Sequence, residues 1–102
     1  MNWIEIEKKY PKASKLKDNW IKKYFYNDGN GHLYRSRDLY DFFDELEIFV
    51  HCYNTEISKW YWEIDEYGAE CLKDYETRQI SEEVAFLKAF EILENEIKIN
   101  KT

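Results

Sequence analysis

Proline occurs once, glycine three times and cysteine twice in these 102 residues. So little glycine and proline leaves no long flexible linker, and the length is that of a single domain, residues 1–102. Two cysteines, Cys52 and Cys71, do not make a disulfide framework, so reduced thiols and a cytoplasmic setting are expected. Apolar runs fall far short of a membrane span, and the opening Met1-Asn2-Trp3-Ile4-Glu5 lacks the apolar stretch of a signal peptide. No phosphate-binding glycine loop, nucleophile motif or metal-ligand spacing is present. No cofactor, small-molecule substrate or membrane partner is therefore expected.

Aromatic and charged residues are abundant instead. Nine Tyr, six Phe and four Trp make up 19% of the chain, and charged residues 35%. Large rings bury much area each, so a chain of this size can still build one modest core. Net charge is −6, unevenly spread. Residues 1–25 carry seven lysines against three acids; residues 26–102 carry eight Lys or Arg against eighteen acids. An acidic majority disfavours general binding to nucleic-acid phosphates, and suits either a basic partner or solubility alone.

The pattern predicts short helices first. Asn2 caps a helix over residues 2–10, with Glu5 at the capping-box spacing, and Pro11 interrupts it. A second helix over 12–23 presents Ala13, Leu16, Trp20 and Tyr24 as its apolar stripe, flanked by Lys15, Lys17, Lys22 and Lys23. Asn27-Asp28-Gly29-Asn30-Gly31 is a turn, joining either a small hairpin or a plain loop. Asp38 caps a third helix to residue 45, with Leu39, Phe42, Phe43 and Leu46 on its buried side.

Period-two alternation then begins. Leu46, Ile48, Val50 and Cys52 alternate with Glu47, Phe49, His51 and Tyr53; a turn spans 54–58; Trp60, Trp62 and Ile64 alternate with Tyr61, Glu63 and Asp65. A third strand over 69–75 is poorly patterned. Short turns make the strands an antiparallel meander. Ser81 caps a long final helix whose apolar side holds Ala85, Phe86, Ala89, Phe90, Ile92, Leu93 and Ile97, while Val84 and Leu87 point the other way. The fold class is α+β: short N-terminal helices, a three-stranded antiparallel meander and a long C-terminal helix packed on the sheet.

Chemistry is sparse. His32, His51, Cys52 and Cys71 are zinc-ligand types at the wrong spacing. His51 and Cys52 adjoin on one strand and so face opposite sides, and another strand separates Cys52 from Cys71. Asp28 and Asn30 supply only part of a calcium loop. His51 beside Glu63 and Tyr61 has the elements of a general base, but nothing else of an active site accompanies it. The chain reads as non-catalytic, with no catalytic and no metal residues. Phe49, His51, Tyr53 and Tyr61 form an aromatic row on the outer sheet face, which the N-terminal helices are expected to cover.

The acidic run Asp38, Asp41, Asp44, Glu45 and Glu47 is either a solvated face or a contact surface for a basic groove. On the second reading Tyr40, Asp41, Asp44 and Glu45 touch the partner. The basic first helices leave another option, RNA held by Lys15, Lys22 and Lys23.

Three stretches carry a resemblance: Asn2-Trp3 with Tyr10-Pro11-Lys12-Ala13; Arg37-Asp38-Leu39-Tyr40-Asp41-Phe42-Phe43-Asp44; and Tyr75-Glu76-Thr77-Arg78 with the run from Ser81 to Glu94. Together they resemble small uncharacterised proteins of phages and prophages of low-GC Bacteroidota. The resemblance implies an inhibitor of host defence of the anti-CRISPR kind, acting in the host cytoplasm on an RNA-guided nuclease or its guide RNA complex. A general protein-interaction module and a small RNA-binding protein are the alternatives. The matching residues are of a structural kind, so no catalytic role carries over.

Overall fold

The computed structural model describes residues 1–24, 36–65 and 67–100. In chain order they form α1 (Trp3–Lys9), α2 (Pro11–Tyr24), α3 (Ser36–Glu45), β1 (Val50–Glu56), β2 (Lys59–Ile64), β3 (Ala69–Glu70) and α4 (Arg78–Asn100). The strands make one antiparallel sheet of order β1-β2-β3, and α4 packs on β1 and β2, giving the expected α+β class. The turn at residues 27–31, its flanking segments and His32 lie outside the described residues.

The N-terminal helices do not take the place expected for them. They pack on α4 rather than over the outer face of the sheet, so α4 is the middle layer. Its composition explains this. Ala85, Phe86, Ala89, Phe90 and Leu93 are buried, and Val84, Ile92 and Ile97 pack against the core from other sides. A helix apolar on most of its circumference belongs between two layers. Phe43 of α3 locks into this centre, edge-on to Phe90 at 5.0 Å and stacked with Phe86 at 6.1 Å. Such ring pairs add about 0.5–1.5 kcal/mol beyond their burial.

The side chain of Asn2 accepts from the Glu5 N–H and caps α1 as expected. Pro11 opens α2, where its missing N–H costs nothing. The buried stripe of α2 departs from expectation. It consists of Ala13, Ser14, Lys17 and Ile21, whereas Leu16 is exposed. Lys17 takes an inner position because its ammonium lies 4.0 Å from the centre of the Trp3 ring and 2.9 Å from Asp18 Oδ1. Its methylene stem packs as an apolar group while the charge stays partnered.

Helix α3 starts two residues earlier than expected, so Asp38 sits in its first turn, complementing the helix dipole rather than capping. Its C-terminus consumes residues expected in the first strand. Ile48 N–H bonds to the Phe43 carbonyl and Glu47 N–H to that of Asp44, with Glu47 left-handed at φ 61°. β1 therefore begins at Val50 and runs on to Glu56. The β1–β2 turn tightens to Ile57 and Ser58, Ser58 having φ 62°. β3 holds only two residues. Tyr75 rejoins the sheet opposite Trp60, and Leu72 between them is fully exposed. Helix α4 begins at Arg78, not after Ser81, because the Thr77 hydroxyl accepts from Ile80 N–H at 3.2 Å. Ser81 is buried inside the helix.

Candidate functional site

A partly buried polar cluster lies where α3, β1 and α4 meet. Tyr40 packs edge-on to Phe86 at 5.0 Å and donates its hydroxyl to Glu82 Oε2 at 2.8 Å. The same buried carboxylate oxygen accepts from Arg78 Nε at 3.3 Å. The Ser81 hydroxyl donates to Cys52 Sγ at 3.9 Å. Burial, then hydrogen bonds with Cys52 and Glu82, holds the Tyr40 proton far above the usual range for a phenol. Burial also pushes the Cys52 thiol up, against the lowering pull of Tyr40 and Ser81. A thiol kept protonated is a weak nucleophile. The cluster does what a satisfied polar patch in a core does, fixing α3 against α4. A groove of about 270 Å³ beside it is lined by Trp3, Leu39, Gln79, Glu82, Glu83 and Phe86, together with Met1.

Four residues were expected to meet a partner on α3. Asp41, Asp44 and Glu45 are exposed, on one side of the helix. Glu45 accepts from the Trp20 indole N–H, which ties α3 to α2. Asp41 and Asp44 make no ion pair among the described residues. Arg37, also exposed, opens the same side one turn earlier. Tyr40 is placed apart from these three, turned inward on Phe86 and Glu82. Lys15, Lys22 and Lys23 are all exposed on α2, and with exposed Lys12 they fall within one arc of the helix.

The outer face of the sheet carries exposed His51, Tyr53 and Glu70 and half-buried Tyr61 and Glu63. Tyr53 and Tyr61 are register partners and stack at 5.6 Å with their planes 22° apart. Tyr53 is 43% exposed. Its hydroxyl titrates above the usual range, through lost hydration and then the charge of Glu63. One row along, His51 faces Glu63 and Glu63 faces Glu70. His51 does not pair with its cross-strand partner; its Nε2 lies 3.0 Å from Asp65 Oδ2, both side chains about half exposed. The Glu63–Glu70 juxtaposition could not be seen in the sequence, because the ill-patterned third strand gave no register. Only the excess of acid over base near residue 63 hinted at it.

Among the described residues no group of three or more His, Cys, Asp and Glu side chains is placed to hold a metal. No described helix is long and apolar enough to cross a membrane. Comparison with protein-family models, with curated proteins and with solved structures finds no match to this chain.

Proposed function

We propose that this chain is a non-catalytic binding protein whose acidic α3 face docks into a basic groove of a nucleic-acid-handling partner. The observation that carries the reading is the pair Asp41 and Asp44, exposed one turn apart with no ion pair among the described residues. Carboxylates so placed offer a negative row to a surface built for phosphates, where they steer encounter and favour one orientation. The stretch from Arg37 to Asp44 is also one that resembles phage and prophage proteins, and that context makes an RNA-guided host-defence nuclease the preferred partner. Glu45 extends the row, while Tyr40 sets the helix on the core.

The test is binding to a purified RNA-guided nuclease, to the same nuclease with its guide, and to guide RNA alone. Binding to the nuclease is expected, with Asp41→Lys/Asp44→Lys slowing association by about tenfold or more at low salt. No affinity for any of the three, across the host's effectors, overturns the reading.

A second reading rests on the exposed arc of Lys15, Lys22 and Lys23. It makes the chain an RNA-binding module. Tight binding to guide RNA alone, falling steeply with salt and lost on replacing these lysines, would establish it.

A further inference from the structure

We propose that the outer face of the sheet is a second docking surface, and that its occupant is an arginine-presenting segment of a protein partner. The inference goes beyond the α3 reading, since it uses none of the same residues.

Two features of the face converge on a guanidinium. The stacked Tyr53–Tyr61 pair presents π surface at the middle of the sheet. Glu63 and Glu70 stand directly opposite one another in the adjacent row. Like charges directly opposite across strands repel, and a cation seated between them relieves that cost. Rows on one face of a strand lie about 7 Å apart, so a group lying on the tyrosines reaches the carboxylates of the next row. Arginine combines both requirements: a flat cation that stacks on rings, and a fork of donors that fits carboxylates. Lysine meets only the second. Lys59 on this side is paired with its register partner Glu56 at 3.7 Å, so the carboxylates of Glu63 and Glu70, with exposed Asp65 beside His51, set the charge of the face, and nucleic acid would be repelled from it.

The probe is a labelled seven-residue peptide of alternating glycine and arginine, compared with its lysine counterpart. Binding is followed by fluorescence anisotropy at physiological ionic strength, where exposed charges more than about 8 Å apart are largely screened. The arginine peptide is expected to bind about threefold or more tightly than the lysine peptide, as stacking at an exposed site provides. Tyr53→Thr keeps a β-branched strand residue and should abolish that preference. Glu63→Gln with Glu70→Gln should weaken both peptides severalfold while leaving the fold intact, because it removes a repulsion. Asp41→Lys/Asp44→Lys should leave peptide binding within about twofold of the parent, which separates this face from α3.

Equal affinity for the two peptides, unaffected by Tyr53→Thr, overturns the proposal. So does competition by a short single-stranded oligouridylate, which would make the tyrosines a base-stacking platform. A doubling of mass in sedimentation velocity that Tyr53→Thr reverses would assign the face to a second copy of this chain instead.

Discussion

Glu94, near the end of α4, accepts a hydrogen bond at 2.8 Å from the backbone N–H of Ala13, in the first turn of α2. The two residues lie 81 positions apart. The early N–H groups of a helix have no partner within it, and a carboxylate there also meets the positive end of the dipole. A side chain from a distant helix thus does the work that a local cap does elsewhere. Its other oxygen is buried without a hydrogen bond among the described residues.

Removing that carboxylate should therefore unpin two helices at once. Glu94→Ala is expected to cost about 1.5–3 kcal/mol, the range for a hydrogen bond to a charged group. Glu94→Gln keeps an acceptor but loses the charge facing the dipole, and should cost about 1 kcal/mol. Urea denaturation of the two variants measures both. A loss below about 0.5 kcal/mol for the alanine variant would mean that α2 is capped by something else.

Tyr40 gives a prediction in alkali. Its phenol holds its proton in the folded state well above the ordinary value of 10.0, because burial and the nearby Cys52 and Glu82 disfavour the anion. A raised pKa contributes stability that is fully present below the unfolded value and is lost as pH rises beyond it. The folded chain then holds a proton the unfolded chain has released, so stability falls by up to about 1.4 kcal/mol per pH unit above 10. Tyr40→Phe lacks this term. It should be less stable than the parent at neutral pH, with the gap narrowing above pH 10. Denaturation midpoints between pH 7 and 11 test this, and a gap independent of pH would contradict it.

Glu47 occupies a left-handed position that glycine fills without a steric cost. That conformation costs a residue with a Cβ about 1–2 kcal/mol, offset in part by the greater freedom glycine regains on unfolding. Glu47→Gly should consequently stabilise the protein by about 0.5–1 kcal/mol in thermal or urea denaturation. Ser58→Gly should act in the same direction. A destabilised Glu47→Gly would show that the glutamate side chain holds the α3 terminus through a contact of its own.

Elements whose signals are local were legible in the sequence, and placements decided at a distance were not. Period two marked β1 and β2, and the Asn2 cap and the apolar side of α4 were plain. The α4 cap moved from Ser81 to Thr77 because both residues meet the chemical requirement, and only packing decides between them. The sequence places Lys17 only beside the apolar stripe of α2, since its position over Trp3 depends on how α1 meets α2. The two spare apolar residues of α4, Val84 and Leu87, were the available sign that this helix has neighbours on both sides. For the surfaces, the α3 acids could be listed from the sequence. The inward turn of Tyr40, and the meeting of Glu63 with Glu70, depend on register and tertiary packing.

The central place of α4 also sets the order in which the chain can fold as it is made. Every other described element precedes α4, and each leans its apolar side on it or on something that touches it. While the chain is being synthesised, the faces carrying Trp3, Phe43 and Trp62 lack the cover that α4 gives them. The α1–α2 pair and the β1–β2 hairpin each lack a core of their own. The emerging polypeptide must hold these aromatic faces open to water, and to any chaperone, until the last helix arrives and closes both layers together.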